Sequence, residues 1–142
     1  MFYISIPGKP VAKKQLRCRC LGRHGHVYNP SSKDQARIAQ LFKDATKGAI
    51  PYACPIRWDV KIYVPIPKST PKLKRFQMMR GLIRPDVRPD DDNYTYLLSN
   101  AASGSFYDDD KRRVESHVYK YYEDERGPRV EVLVEPITQG CQ

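Results

Sequence analysis

The sequence predicts an α+β domain: a mixed β-sheet with helices packed on one face. Three observations carry this. Ile56–Val64 alternates apolar and polar side chains strictly, as a half-buried strand does. The stretches after Ser31 and after Asp92 place apolar residues at helical spacing between a capping residue and a glycine. The alternation of Val130, Val132 and Val134 adds a late strand, so strands and helices are interspersed along the chain. With 142 residues, the chain suits a single domain spanning 1–142 with room for a core.

Phe2–Ile6 is apolar enough for a first strand, ended by Pro7-Gly8. Residues 9–27 read as a flexible basic loop. Its first part carries Lys9, Lys13, Lys14, Arg17, Arg19 and Arg23 without one acid, which suits a solvated loop or an arm laid along a phosphate backbone. Gly22 and Gly25 allow a turn that would pair Leu16–Cys20 with His26–Tyr28. Such a hairpin offers Cys18, Cys20, His24 and His26 as a zinc set, although the spacing is tighter than in zinc fingers or ribbons. Ordinary loop residues are the competing reading.

Ser31 and Asp34 have capping-box spacing, and Ile38, Leu41, Phe42 and Ala45 form one apolar stripe before Gly48. In the strand Ile56–Val64, Ile56, Trp58, Val60, Ile62 and Val64 share a face, so Trp58 reads as core. Pro65 and Pro67 end it. Ser69 or Thr70 can cap a helix with Pro71 in its first turn, running to about Arg80. This region is strongly basic, through Lys68, Lys72, Lys74, Arg75, Arg80, Arg84 and Arg88. After the helix capped by Asp92, with Tyr94, Leu97, Leu98 and Ala101 on one face and Gly104 at its end, two strands follow at Arg113–Tyr122 and Arg129–Glu135. A turn at Glu123–Pro128 joins them, and the tail over 137–142 reads as frayed.

The formal net charge is +9 and the pI about 9.5, which points to an anionic partner. Against that background Asp90, Asp91 and Asp92, with Asp86 just before, and Asp108, Asp109 and Asp110 form two acidic clusters at the two ends of one helix. Like charges so crowded cost free energy unless a cation sits among them, and hard oxygen ligands suit Mg²⁺ or Mn²⁺. A basic body around an acidic pocket is what a metal-dependent nuclease needs. A basic domain that only binds nucleic acid, with its acids in solvated loops, is the rival reading.

Four cysteines, Cys18, Cys20, Cys54 and Cys141, are too few for a disulfide framework in a chain this size. Met1–Pro7 is too short for a secretory signal, and no apolar run approaches a membrane span. The expectation is a reduced, intracellular protein.

These residues also carry a resemblance. Arg88-Pro89-Asp90-Asp91-Asp92-Asn93, a helix reaching Gly104, then Tyr107 and Asp109-Asp110 resemble the motif of the RusA-type Holliday-junction resolvases of bacteria and their prophages. Upstream, the basic stretch from Lys9-Pro10 through Arg19, and Tyr28-Asn29-Pro30, are similar to that family too. The resemblance spans about Lys9 to Val134. It implies a RusA-like fold, Mg²⁺ (with Mn²⁺ as an alternative) on Asp90, Asp92 and Asp110 with Asp109 beside them, and a cytoplasmic, bacterial or phage-encoded homodimer. It further implies paired nicking of a four-way DNA junction, in recombination, repair or phage DNA processing. Asp90, Asp92 and Asp110 would be the catalytic acids. Lys13, Lys14, Arg17, Arg19, Lys72, Lys74, Arg75, Arg88 and Lys111 are the candidate DNA contacts.

Two positions depart from the family pattern. Tyr96 stands where the family usually has a lysine, and Asn100 where it usually has an acid. Lys111 or Arg112 could supply the missing cation. A catalytically weakened or inactive junction-binding protein on the same scaffold is therefore the alternative.

Overall fold

The computed structural model describes residues 1–137. Six strands and three helices run in the order β1 (Phe2–Pro7), β2 (Arg17–Leu21), β3 (His24–Tyr28), α1 (Ser32–Thr46), β4 (Ile56–Val64), α2 (Lys72–Met79), α3 (Asp91–Ala102), β5 (Arg113–Tyr122) and β6 (Arg129–Pro136). A short 3-10 turn, Asp110–Arg112, leads into β5. β2 and β3 form their own hairpin, and the other four strands make one mixed sheet in the order β1-β6-β4-β5. The chain is thus α+β with a mixed sheet, as its sequence predicts.

Register assembles the core. Val60 of β4 lies opposite Val132 of β6 on one side and Val118 of β5 on the other, and Val132 lies opposite Ile4 of β1. Residues in register share a face, so this apolar row crosses all four strands. Ile38 and Phe42 of α1, Leu97, Leu98 and Ala101 of α3, and Phe106 after α3 pack in the same buried cluster. The opposite face of β4 and β6 carries Arg57, Asp59, Glu131 and Glu135 in ion pairs instead. Buried Arg129 clamps Asp124 with two nitrogens, at 2.7 and 3.0 Å, and its guanidinium covers the Tyr63 ring. This arrangement fixes the β5–β6 connection.

β5 and β6 are joined in sequence by a turn but do not pair with each other. β5 runs parallel to β4, and β6 is antiparallel to both β4 and β1. The physical reason lies in their composition. β6 is largely buried along Arg129–Val134 and suits an interior position, whereas most of Arg113–His117 is exposed and belongs at an edge.

Three caps differ from expectation. Ser31 precedes α1 but makes no capping bond; its Oγ accepts the Lys14 N–H at 2.8 Å instead. Pro71 stands at the N-cap of α2 in place of Ser69 or Thr70. Asp90, not Asp92, is the N-cap of α3, because the extended backbone persists to Asp90 (ψ 154°) and the helix begins at Asp91.

The basic segment over 9–27 is a loop only in its first half, since β2 and β3 occupy the second. Cys54 is disulfide-bonded, so the expected fully reduced chain fails at that residue. The Ile137 N–H donates to Pro55 C=O at 3.1 Å, which brings the end of the last strand beside the segment holding Cys54. The rest of the tail, 138–142, lies outside the described residues. No helix among the described residues is long and apolar enough to cross a membrane.

Candidate active site at the start of the third helix

The acidic loop ahead of α3 is tied to the edge of the sheet. Lys120 of β5 donates from Nζ to Val87 C=O at 2.8 Å and to Pro89 C=O at 3.0 Å. Arg84 Nε in turn donates to Lys120 C=O at 2.7 Å. The loop then reaches Asp90, whose carbonyl accepts the Asn93 N–H while its carboxylate makes no capping bond. Asp91 and Asp92 sit in the first turn, where the positive end of the helix dipole favours carboxylates. Asp86, Asp90, Asp91 and Asp92 line one open cleft of about 460 Å³, with Arg88 and Lys120 on its wall.

The second acidic cluster is organised through Ser99, a buried residue of α3. Ser99 Oγ donates to Asp110 Oδ1 at 3.2 Å and accepts from Arg113 Nη1 at 2.6 Å. Arg113 itself lies over the Trp58 ring, 4.6 Å from its centre. The Tyr107 hydroxyl donates to Ser99 C=O at 3.4 Å. Burial is the main cause pushing the Tyr107 phenol up, and the Asp110 charge acts in the same direction, so the phenol stays protonated. Asp110 is therefore held from α3 by a buried hydroxyl.

Asp108 and Asp109 are engaged locally. Asp108 takes a bidentate pair from Arg112, at 2.8 and 3.0 Å, and that guanidinium holds its carboxyl below the usual range. Asp109 caps the 3-10 turn by accepting the Lys111 N–H, and Lys111 Nζ lies 3.8 Å from its carboxylate. The two cations that the sequence offers as substitutes at position 96 thus sit on these acids.

A different cation reaches that position. The Lys13 N–H donates to Asn93 C=O at 3.0 Å, laying the basic segment across the first turns of α3. Its ammonium lies 3.6 Å from the centre of the Tyr96 ring. Lys13 first, and Asn100 second, lower the Tyr96 phenol pKa. Asp92, Tyr96 and Ser99 follow one another at spacings of four and three, so they share a helix face. The Lys13 ammonium therefore sits on the middle residue of this face, which has Asp92 one turn before it and the Ser99 anchor of Asp110 one turn after. Lys13, Lys14, Asp92 and Asn93 also line a second cleft of about 430 Å³.

Seven helical steps separate Asp92 from Ser99, roughly 10 Å along the axis. Among the described residues no group of three or more His, Cys, Asp or Glu could hold a metal ion in this arrangement. Asp90 and Asp92 share a cleft, while Asp110 approaches from the far end of the helix face and Asp109 turns to its own loop.

The remaining candidate cations surround this region unevenly. Arg88 is exposed at the cleft itself. Lys72 and Lys74 are exposed on α2, where Arg75 Nη2 donates back to Pro67 C=O at 3.1 Å. Arg17 and Arg19 are exposed on the hairpin. The hairpin register sets Cys18 and Cys20 opposite Val27 and Gly25, and Arg19 and Leu21 opposite His26 and His24. The cysteines and the histidines therefore occupy opposite faces. They do not surround one point, so the zinc reading loses its geometric basis.

The Lys13–Tyr96 contact joins residues far apart in sequence, and no local spacing announces it. The same holds for Ser99, which reads in sequence as one small residue of a helix. Only the Asp110 carboxylate it holds reveals its role.

The comparisons agree with the geometry. A model of the family described as endodeoxyribonuclease RusA matches residues 7–135. The chain is also 32% identical over 137 residues to an uncharacterized protein, YqaN, of Bacillus subtilis (strain 168), covering 94% of this chain and 95% of that one. With nearly its whole length matched, and with the acidic loop, site helix and basic segment in one place, the chain belongs to the RusA endodeoxyribonuclease family.

Proposed function

We propose that the protein is a Mg²⁺-dependent, structure-selective endodeoxyribonuclease that resolves four-way DNA junctions by paired nicking, working as a homodimer in the bacterial cytoplasm, encoded by host or phage. The observation that carries this reading is the shared cleft of Asp90 and Asp92, bordered by Arg88 and adjoining the Lys13 cleft, in a protein of net charge +9.

The donor set fits the ion. Mg²⁺ is usually held by one or two carboxylates together with waters and substrate phosphate oxygens. Asp90 and Asp92 provide those two carboxylates. When bound, the ion supplies phosphate charge neutralisation and a more acidic attacking water, and Mn²⁺ would serve similarly. The chain's own residues do the rest. Arg88 and Lys13 bind the phosphate on either side of Asp92. Ser99 positions Asp110 at the other end of the helix face, backed by Arg113. Lys14, Arg17, Arg19, Lys72, Lys74 and Arg75 add phosphate contacts along the arms of the junction, with Lys111 at the margin.

A second reading, a junction-binding protein that cuts weakly or not at all, is favoured by one observation. The acids of the two clusters are not drawn together in this arrangement. The two readings separate in a cleavage assay on a labelled synthetic four-way junction with Mg²⁺, Mn²⁺ or chelator. Symmetric paired nicks in either metal and none in chelator support the nuclease. Saturable binding without nicks in any condition supports the binding protein.

A further inference from the structure

A third cavity, of about 290 Å³, adjoins the acidic cleft. Three residues, Val87, Arg88 and Lys120, line both. Its walls are apolar and stiff: Pro10, Pro65 and Pro67, with the rings of Tyr94 and Tyr122. Every charged residue lining it is a cation, namely Lys9, Arg88 and Lys120. Lys120 is committed to holding the Val87 and Pro89 carbonyls, which keeps the loop between the two cavities in place.

We propose that this cavity receives an unstacked nucleobase beside the phosphate that the acidic cleft engages, and so reads base identity at the junction. The inference rests on the nuclease reading above. The volume lies at the small end of ligand cavities, about 300 Å³, which suits one ring system and excludes a strand. Proline and tyrosine walls present flat apolar surface to the face of a base, and the cationic rim matches the phosphates on either side of it. Where a four-way junction is held open, a base at the branch point has no stacking neighbour on its junction side, which lowers the cost of extruding it.

The test uses four-way junctions carrying 2-aminopurine singly at each position around the branch point, with full-length protein in chelator so that nothing is cut. Binding is followed in parallel by anisotropy. The expected result is an emission change of at least twofold at one position in the saturated complex. Pro67→Trp fills the cavity from an exposed residue that lines it and not the acidic cleft, and should abolish that change while the junction still binds. Pro67→Ala, which opens the wall, should retain it. Emission unchanged at every position in a saturated complex, or unchanged between wild type and Pro67→Trp, overturns the pocket and leaves the nuclease reading standing. Failure to bind the junction overturns both.

Discussion

The Lys13 ammonium lies 3.6 Å from the centre of the Tyr96 ring, on the helix face that runs from Asp92 to Ser99. A side chain from the basic segment thereby places positive charge midway along the site helix. The segment's own backbone is fixed there by the bond from the Lys13 amide to Asn93 C=O.

If that charge binds the scissile phosphate, Lys13→Met should lower the single-turnover cleavage rate by about 10–100-fold, the range for a lost charge-assisted hydrogen bond. Lys13→Arg should recover part of it. The same Lys13→Met change should move the Tyr96 phenol back up, read as a rise in its ultraviolet titration midpoint against Tyr96→Phe. Equal cleavage by wild type and Lys13→Met would remove Lys13 from the site.

Ser99 connects three groups: it donates to Asp110, accepts from Arg113 and accepts from Tyr107 through its carbonyl. Ser99→Ala removes the first two bonds in a buried place. We expect a loss of about 1–3 kcal/mol in denaturant unfolding. Cleavage should fall with junction affinity unchanged, because the variant keeps every surface cation. Full cleavage by a folded Ser99→Ala protein would show that Asp110 needs no such support.

The Arg129–Asp124 clamp makes stability depend on pH. Arg129 holds the Asp124 carboxyl below its ordinary range, with a backbone bond from Arg126 adding to this. A depressed carboxyl stabilises the fold above its unfolded pKa of about 3.9 and loses that contribution as pH falls through the folded pKa. Asp124→Asn should therefore cost about 1–3 kcal/mol at pH 7. The gap from wild type should narrow in melts taken below about pH 3. A gap that stays constant over this range would show that the clamp's charge contributes nothing.

On the hairpin, the face assignment of Cys18 and Cys20 against His24 and His26 has a simple consequence. Stoichiometric Zn²⁺ should leave the melting temperature of the protein unchanged, and Co²⁺ should give no tetrahedral thiolate absorption. A tetrahedral spectrum lost in a Cys18→Ala variant would mean that the hairpin rearranges around metal.

Much of this was legible beforehand. β4 was readable over its full length because one face is buried against helices and the other is solvated, which imposes period two on Ile56–Val64. α1 and α3 were readable from their apolar stripes. The pairing of β5 and β6 was not, because adjacency in sequence favours a hairpin, while edge exposure and central burial are properties of the finished sheet. Asp92 lost the cap to Asp90 because three consecutive aspartates are equivalent by composition, and only the backbone chooses among them. In the site, the acidic clusters stood out by charge alone. Lys13 stood out only as one cation of a basic run, not as the partner of Tyr96, and Ser99 and Arg113 did not stand out, since each acts through a partner on another segment.

The nuclease proposal makes Asp90, presented at the start of α3, part of a catalytic site and not of a solvated loop. The most direct test compares wild type and Asp90→Asn on one labelled four-way junction, measuring cutting in Mg²⁺ and binding in chelator side by side. The variant should bind as tightly as wild type or tighter, since a negative charge is removed beside the phosphate, while paired nicking falls at least 100-fold, an interaction worth about 2.7 kcal/mol. Undiminished nicking by Asp90→Asn would contradict that proposal.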